Sequence, residues 1–129
     1  MLNLDSTVER PHKISACLLA MLVLGHTAAG WAHAFPEHAE PGAGARLTAA
    51  PHEVLIRFDR MLESNFSSLH VEDHQGHRVD VGKTKLSKDD LHLLQVCLPP
   101  LKPGTYRVIW SAFSLDGHRT QGDYSFVIR

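Results

Sequence analysis

Apolar and polar residues alternate along most of the chain beyond residue 45, with the period of β-strands that bury one face. The alternation is clearest near the C-terminus, where residues 106–113 and 123–128 form two runs. Shorter runs of the same character lie at residues 46–48, 54–58, 68–71, 78–81 and 91–98. About seven short strands, with a turn signal every ~8–12 residues, predict an all-β fold consisting of a single antiparallel β-sandwich or barrel.

The segments between these runs predict turns rather than helices. Asp and Gly at positions 72–77 predict a hairpin that joins strands 68–71 and 78–81. Residues 33–44 contain Pro and Gly without helical periodicity, and we expect an extended arm followed by a turn. Residues 83–91 are the one segment with room for a short helical turn.

One face of the strand at residues 106–113 is predicted to lie in the core, because residues two apart in a strand share a face. The last strand is expected to contribute two more side chains to the same core. The predicted core residues are Tyr106, Val108, Trp110, Ala112, Phe126 and Ile128. These aromatic side chains therefore indicate packing rather than binding.

The first 32 residues predict a secretory signal peptide rather than part of the fold. Basic residues precede an apolar run at positions 14–24, and small residues follow up to Ala32. The apolar run is shorter than the ~20 residues of a membrane-spanning helix. We therefore expect cleavage after Ala32, export and no stable membrane insertion afterwards. Cleavage there makes His33 the first residue of the mature protein.

Residues 33–129 are expected to form one domain and a monomer, since this length supports a single modest core. The chain has 13 Lys and Arg against 14 Asp and Glu, a net charge of −1, which favours neither nucleic acid nor an anionic membrane as a partner. Cys97 is the one cysteine that follows the predicted leader, so no intramolecular disulfide is expected. No nucleophile–base, P-loop or dinucleotide motif is present, which predicts that the protein is not an enzyme.

The candidate chemistry lies in the triplet Asp116-Gly117-His118, between the last two predicted strands. In an extended chain the two polar side chains point the same way, so a carboxylate and an imidazole converge on one point. An N-terminal His33 adds a second imidazole and an α-amine, and the amine's ordinary pKa of ~7.7–8.0 lets a metal displace its proton near neutral pH.

Imidazole, amine and carboxylate in a tetragonal set suit Cu(II) better than calcium or magnesium, with tetrahedral zinc as a competitor. Met61 is the one methionine after the leader, which disfavours a thioether site for Cu(I). The sequence therefore predicts one Cu(II) per chain. Of the remaining histidines, His38 is a conceivable accessory ligand and the turn with His74 and His77 a weak second site. Exposed positions are expected for His52, His70 and His92.

These residues carry a resemblance to the CopC family of periplasmic copper-binding proteins, including its PcoC and YobA-like members. The similarity spans residues 33–129. It rests on His33-Ala34 after the cleavage site, Pro41-x-x-Gly44, Pro51 before Val54-x-Ile56-x-Phe58, Leu101-x-Pro103-Gly104-Thr105-Tyr106-x-Val108-x-Trp110, and Ser114-x-Asp116-Gly117-His118-x-x-x-Gly122-x-x-x-Phe126.

The resemblance implies an immunoglobulin-like or cupredoxin-like fold and a Cu(II) ion held by His33, Asp116 and His118. Relatives with an additional Cu(I) site carry a methionine-rich segment, which residues 69–86 lack. Many relatives have Ser-Glu after the second-strand Phe, whereas this chain has Asp59-Arg60, and a cation there would weaken binding of Cu(II).

The function that these features predict is that of an exported Cu(II) carrier or buffer in copper homeostasis or resistance, which exchanges metal with a CopD-like membrane protein. One alternative is a copper enzyme resembling the lytic polysaccharide monooxygenases, which also bind copper through an N-terminal histidine. The other is a metal-free immunoglobulin-like interaction module.

Overall fold

The computed structural model describes residues 33–129, and the predicted signal peptide lies outside the described residues. This part of the chain forms eight strands: β1 (Pro36–Glu40), β2 (Arg46–Leu47), β3 (Glu53–Phe58), β4 (Ser68–Glu72), β5 (Val81–Leu86), β6 (Leu93–Cys97), β7 (Gly104–Phe113) and β8 (Arg119–Ile128). Residues 33–129 contain no helix of the length and hydrophobicity needed to span a bilayer.

The strands form two four-stranded sheets with the orders β1-β3-β6-β5 and β2-β8-β7-β4. Every pairing is antiparallel except that of β2 with β8, which is parallel. The predicted all-β sandwich is therefore confirmed. The additional strand is β1, which lies in the segment expected to be an arm and pairs with β3.

The core lies between the sheets and follows the alternation in the sequence. Buried and partly exposed residues alternate along β3, β6 and β7. All six residues of the predicted core face are buried, and Trp110 packs edge-on against Phe58 with ring centroids 5.3 Å apart. The hydrophobic pattern thus predicted which face of β7 and of the end of β8 turns inward.

The predicted strand at residues 78–81 is wrong, because the chain leaves the hairpin and joins the other sheet. The turn itself forms, with Asp73 N–H donating to the carbonyl of His77 at 2.9 Å. The next strand begins only at Val81 and pairs with β6, not with β4. One backbone bridge joins Glu72 to Arg78, and Val79 N–H donates to the Val71 carbonyl at 2.8 Å. Beyond it, side chains replace the ladder: Val71 N–H donates to Asp80 Oδ1 at 2.7 Å, and Leu69 N–H donates to Thr84 Oγ1 at 2.9 Å.

The helical turn expected in residues 83–91 does not form. Strand β5 occupies the segment through Leu86, and a bend and turn then lead into β6. Pairing of Lys85 and Leu86 with β6 satisfies their backbone groups in the sheet.

One end of the sandwich brings distant segments together. Strands β3 and β7 end there, whereas β1, β6 and β8 begin there. The segment after β3 ties the two sheets together, since Leu62 N–H donates to the carbonyl of Leu91 and Glu63 N–H to that of Phe113. The segment before β1 and the loop between β7 and β8 therefore meet at this end.

Gly122→Ala is expected to destabilise the fold, because Gly122 pairs with Trp110 across β7 and β8 and its missing side chain makes room for the indole. A Cβ at Gly122 would lie 2.7 Å from the nearest indole carbon. Such overpacking costs about 1–3 kcal/mol, measured as the free energy of unfolding in denaturant. Gly42→Ala is the matched control, since a Cβ there meets its nearest atom at 3.5 Å. Equal stabilities of the two variants would contradict this account.

Candidate metal centre

Asp116 and His118 lie in a tight turn between β7 and β8, and not in extended chain as the sequence pattern suggested. Gly117 N–H donates to the carbonyl of Ser114 at 2.9 Å, and Gly117 has a φ of 91°. Glycine adopts this left-handed conformation without the steric cost that a side chain brings. The two polar side chains still converge, with His118 Nδ1 3.2 Å from Asp116 Oδ1.

Ser114 organises this turn from inside the protein, a role that the sequence reasoning missed. It is 1% exposed, and its hydroxyl contacts the Asp116 carboxylate and the backbone of His118. The hydrogen bond from Ser114, followed by that from His118, lowers the pKa of Asp116. A serine two residues before an aspartate in a turn was the available signal, because such residues hydrogen-bond within turns.

The contact with Asp116 also orients the His118 ring. His118 Nδ1 and Asp116 Oδ1 are 3.2 Å apart, a separation at which one ion ~2.0–2.2 Å from each atom can bind both. Both side chains are about half exposed, His118 at 45% and Asp116 at 47%. The turn therefore presents an imidazole nitrogen and a carboxylate at the surface.

His33 lies beside this turn, although 85 positions in the sequence separate it from His118. The two imidazole rings meet edge to face, with centroids 5.1 Å apart and an interplanar angle of 83°. Two imidazoles that share an ion have their nitrogens at most about 4 Å apart, since each metal–nitrogen bond is ~2.0–2.1 Å long. The ring spacing is compatible with one shared ion, and two imidazoles with a carboxylate fit a tetragonal N,O set.

The three residues are neighbours rather than a preassembled cage. Within residues 33–129, no group of three or more His, Cys, Asp or Glu side chains is arranged to hold a metal ion. In the full chain the nitrogen of His33 is a peptide nitrogen, because Ala32 precedes it. The α-amine of the predicted site exists only after cleavage.

The segment before β1 is fixed close to this turn by its own contacts. Ala34 is fully buried, and its carbonyl accepts a hydrogen bond from the Thr120 hydroxyl. Phe35 N–H donates to Asp59 Oδ1 at 2.7 Å, and Asp59 N–H donates to the Phe35 carbonyl at 3.0 Å. The sequence alone gave no indication that Asp59 and Thr120 hold this segment.

A pocket of about 330 Å³ adjoins the site on the side of Asp116. Arg60 lines this pocket together with Asp116, so its cationic side chain belongs to the same end of the molecule. His92 also lines it, and its Nδ1 donates to the carbonyl of Phe58 at 3.0 Å. His92 was expected to be exposed, but it is half-buried because this hydrogen bond draws its ring against β3.

The other histidines lie elsewhere in the described part of the chain. His38 pairs with Glu40 on β1 at 2.9 Å, and His77 lies 3.5 Å from Asp73 in the hairpin turn. His52 is exposed as predicted, whereas His70 is half-buried beside Glu72.

The fold and the paired histidines define a small β-sandwich protein with a candidate metal centre where strands of both sheets end. Residues 36–129 match the CopC domain model, and the chain belongs to the CopC domain family. The predicted family is thereby confirmed.

Two relatives with similar sequences support this family assignment. Protein YobA of Escherichia coli K12 is 37% identical over 100 residues, which cover 77% of this chain and 81% of YobA. The copper transport protein CutJ of Bacillus subtilis strain 168 is 37% identical over 112 residues, 86% of this chain but 20% of CutJ.

The crystal structure of CopC from Methylosinus trichosporium OB3b has the same fold. It aligns with a TM-score of 0.70 and 33% identity, covering 74% of this chain and 93% of that protein. The chain is accordingly a CopC domain protein rather than an enzyme, in agreement with the prediction from its sequence.

Proposed function

We propose that this protein is a periplasmic Cu(II) carrier or buffer that holds one ion through His33, Asp116 and His118. The observation that carries the proposal is the ring contact between His33 and His118 in a member of the CopC family. His33 supplies its α-amine and imidazole, His118 supplies an imidazole nitrogen, and Asp116 supplies a carboxylate oxygen. The lowered pKa of Asp116 keeps this oxygen anionic, as a cation requires.

Export and processing are part of this proposal. Cleavage after Ala32 creates the α-amine, so only protein that has passed the signal peptidase acquires the complete ligand set. The leader therefore delays assembly of the site until the chain has been exported, and an unprocessed precursor is a poor copper ligand.

Half-exposed ligands suit a carrier better than a permanent copper centre. An incoming ligand can approach Asp116 and His118 from solvent without unfolding the sandwich, because both side chains lie at its surface. Transfer to a CopD-like membrane protein is supported by the match to CutJ, in which a similar segment makes up 20% of a copper transport protein. We propose that the present chain docks onto a separate protein that resembles the remainder of such a transporter.

Titration of processed protein with Cu(II) tests this function. Protein that begins at His33 is expected to bind one Cu(II) per chain with the electron paramagnetic resonance spectrum of a type-2 site with nitrogen ligands. Binding is measured by isothermal titration calorimetry and by metal analysis after gel filtration. No bound copper and no thermal shift on addition of Cu(II) would instead indicate a metal-free interaction module.

A further inference from the structure

The two residues that follow His33 are held in place by burial and by hydrogen bonds to the body of the protein. Ala34 buries its methyl group completely, and its carbonyl accepts the Thr120 hydroxyl of β8. Phe35 exchanges two hydrogen bonds with Asp59, one with its side chain and one with its backbone. We call these four residues, Ala34, Phe35, Asp59 and Thr120, the N-terminal clamp.

The clamp connects the N-terminal segment to both sheets. Asp59 directly follows β3 of one sheet, and Thr120 lies in β8 of the other, two residues beyond His118. Contacts to two independent elements fix both the position and the direction of the segment. His33 has no room to slide along the sandwich, because the buried methyl of Ala34 sets the register.

The Asp59 side chain acts here through a hydrogen bond, not as a free carboxylate. Its Oδ1 lies 2.7 Å from the Phe35 nitrogen, and the Asp59 N–H returns a bond of 3.0 Å to the Phe35 carbonyl. A neutral oxygen at the same position can still accept the Phe35 N–H, although the bond lacks the assistance of the charge. A positioning role for Asp59 therefore tolerates replacement by asparagine, whereas a role as a charged metal ligand does not.

We propose that the N-terminal clamp selects which residue of the chain becomes a copper ligand, with Asp59 and Thr120 as its positioning residues. The clamp begins at Ala34, so only the residue immediately before it lies against His118. If the N-terminal histidine lies one residue farther from Ala34, its imidazole and amine are displaced from Asp116 and His118 by the length of one residue. The clamp also orders His33 in advance, so that copper binding does not have to order a free chain end. This proposal rests on the proposed copper function of His33.

A pair of variants at Asp59 tests the clamp in processed protein. Asp59→Ala is expected to weaken Cu(II) binding about tenfold, as loss of outer-shell support does at other metal sites. Asp59→Asn keeps an oxygen acceptor without the charge and is expected to retain the affinity of the parent protein. Unchanged affinity in Asp59→Ala overturns the proposal, as does an equal loss in both variants, which would assign the effect to charge.

Insertion of one glycine between His33 and Ala34 tests register selection directly. The inserted chain still begins with histidine and retains the amine–imidazole chelate, but the clamp now holds a glycine beside His118. Its Cu(II) affinity is expected to fall to that of a protein with His118→Ala. Full affinity after the insertion would mean that any N-terminal histidine suffices, and the proposal would be wrong.

Amide hydrogen exchange without copper separates this proposal from the copper function. The Phe35 amide is expected to exchange about tenfold faster in Asp59→Ala than in Asp59→Asn, because its acceptor is lost. Equal exchange in the two variants overturns the clamp whatever the copper affinity. If the parent protein binds no copper while the exchange difference persists, the copper function fails and ligand selection fails with it. Circular dichroism and thermal melting of both variants confirm that they are folded.

Discussion

Retention of a single residue before His33 is expected to reduce the affinity for Cu(II) by at least about 100-fold, because loss of a group that binds the ion directly outweighs the ~10–100-fold effect of losing a group that only supports a ligand. In protein that begins at Ala32, the nitrogen of His33 is an amide that binds metal poorly near neutral pH. The displaced amine lies one residue farther from Asp116 and His118. Competition against a chromophoric chelator at fixed pH gives the two dissociation constants.

Substitution of His33 by alanine is expected to cause a comparable loss of affinity. The α-amine remains in this variant, but the imidazole that forms the chelate ring with it has been removed. The matched control is His38→Ala, which removes a nearby histidine that pairs with Glu40 on β1. Processed protein with His38→Ala is expected to bind copper like the parent. If addition of Ala32 leaves both the affinity and the paramagnetic spectrum unchanged, the N-terminal chelate does not exist.

His118→Ala is the second change with a large expected effect, again at least about 100-fold in affinity, because it removes the imidazole that Asp116 orients. His77→Ala is its control, since that imidazole also lies beside an aspartate, Asp73, but in the hairpin turn. The paramagnetic spectrum of the His118 variant is expected to show loss of one nitrogen coupling. Equal affinities of the two variants would remove His118 from the site.

Combining His33→Ala with His118→Ala tests whether both histidines bind the same ion. The effects of substituting two residues that bind the same ion are not additive. The double variant is therefore expected to lose much less binding free energy than the sum of the losses in the two single variants. Two independent sites would give additive losses and two separate spectra. This double-mutant cycle therefore tests whether the two histidines share one ion, because it compares losses between variants and does not depend on the absolute affinity of any one of them.

The protein illustrates how an exposed site can still be well defined. The candidate ligands lie at the surface, but each is fixed by a buried neighbour: Ser114 beneath Asp116, and Ala34 beside His33. Rigid support with exposed ligands permits specific binding together with rapid exchange. That combination suits the copper carrier proposed above.

The sequence by itself predicted six of the eight strands, the inward face of the last two and the candidate ligands. Alternation is a local property, so the buried face of β7 could be predicted from residues 106–113 alone. The pairing of β5 could not, because alternation does not specify the partner strand, and residues 81–86 pair with β6 rather than with β4. The candidate ligands were visible because His33, Asp116 and His118 carry their chemistry in their residue types and positions.

Only the tertiary structure decided how those ligands are held. The turn at Gly117, the support from Ser114 and the contacts of Asp59 and Thr120 join residues whose relation depends on the folded chain. Thr120 meets Ala34 across 86 positions of sequence, and Asp59 meets Phe35 across 24. No local pattern records such contacts, since they arise only when two sheets pack and bring the ends of their strands together.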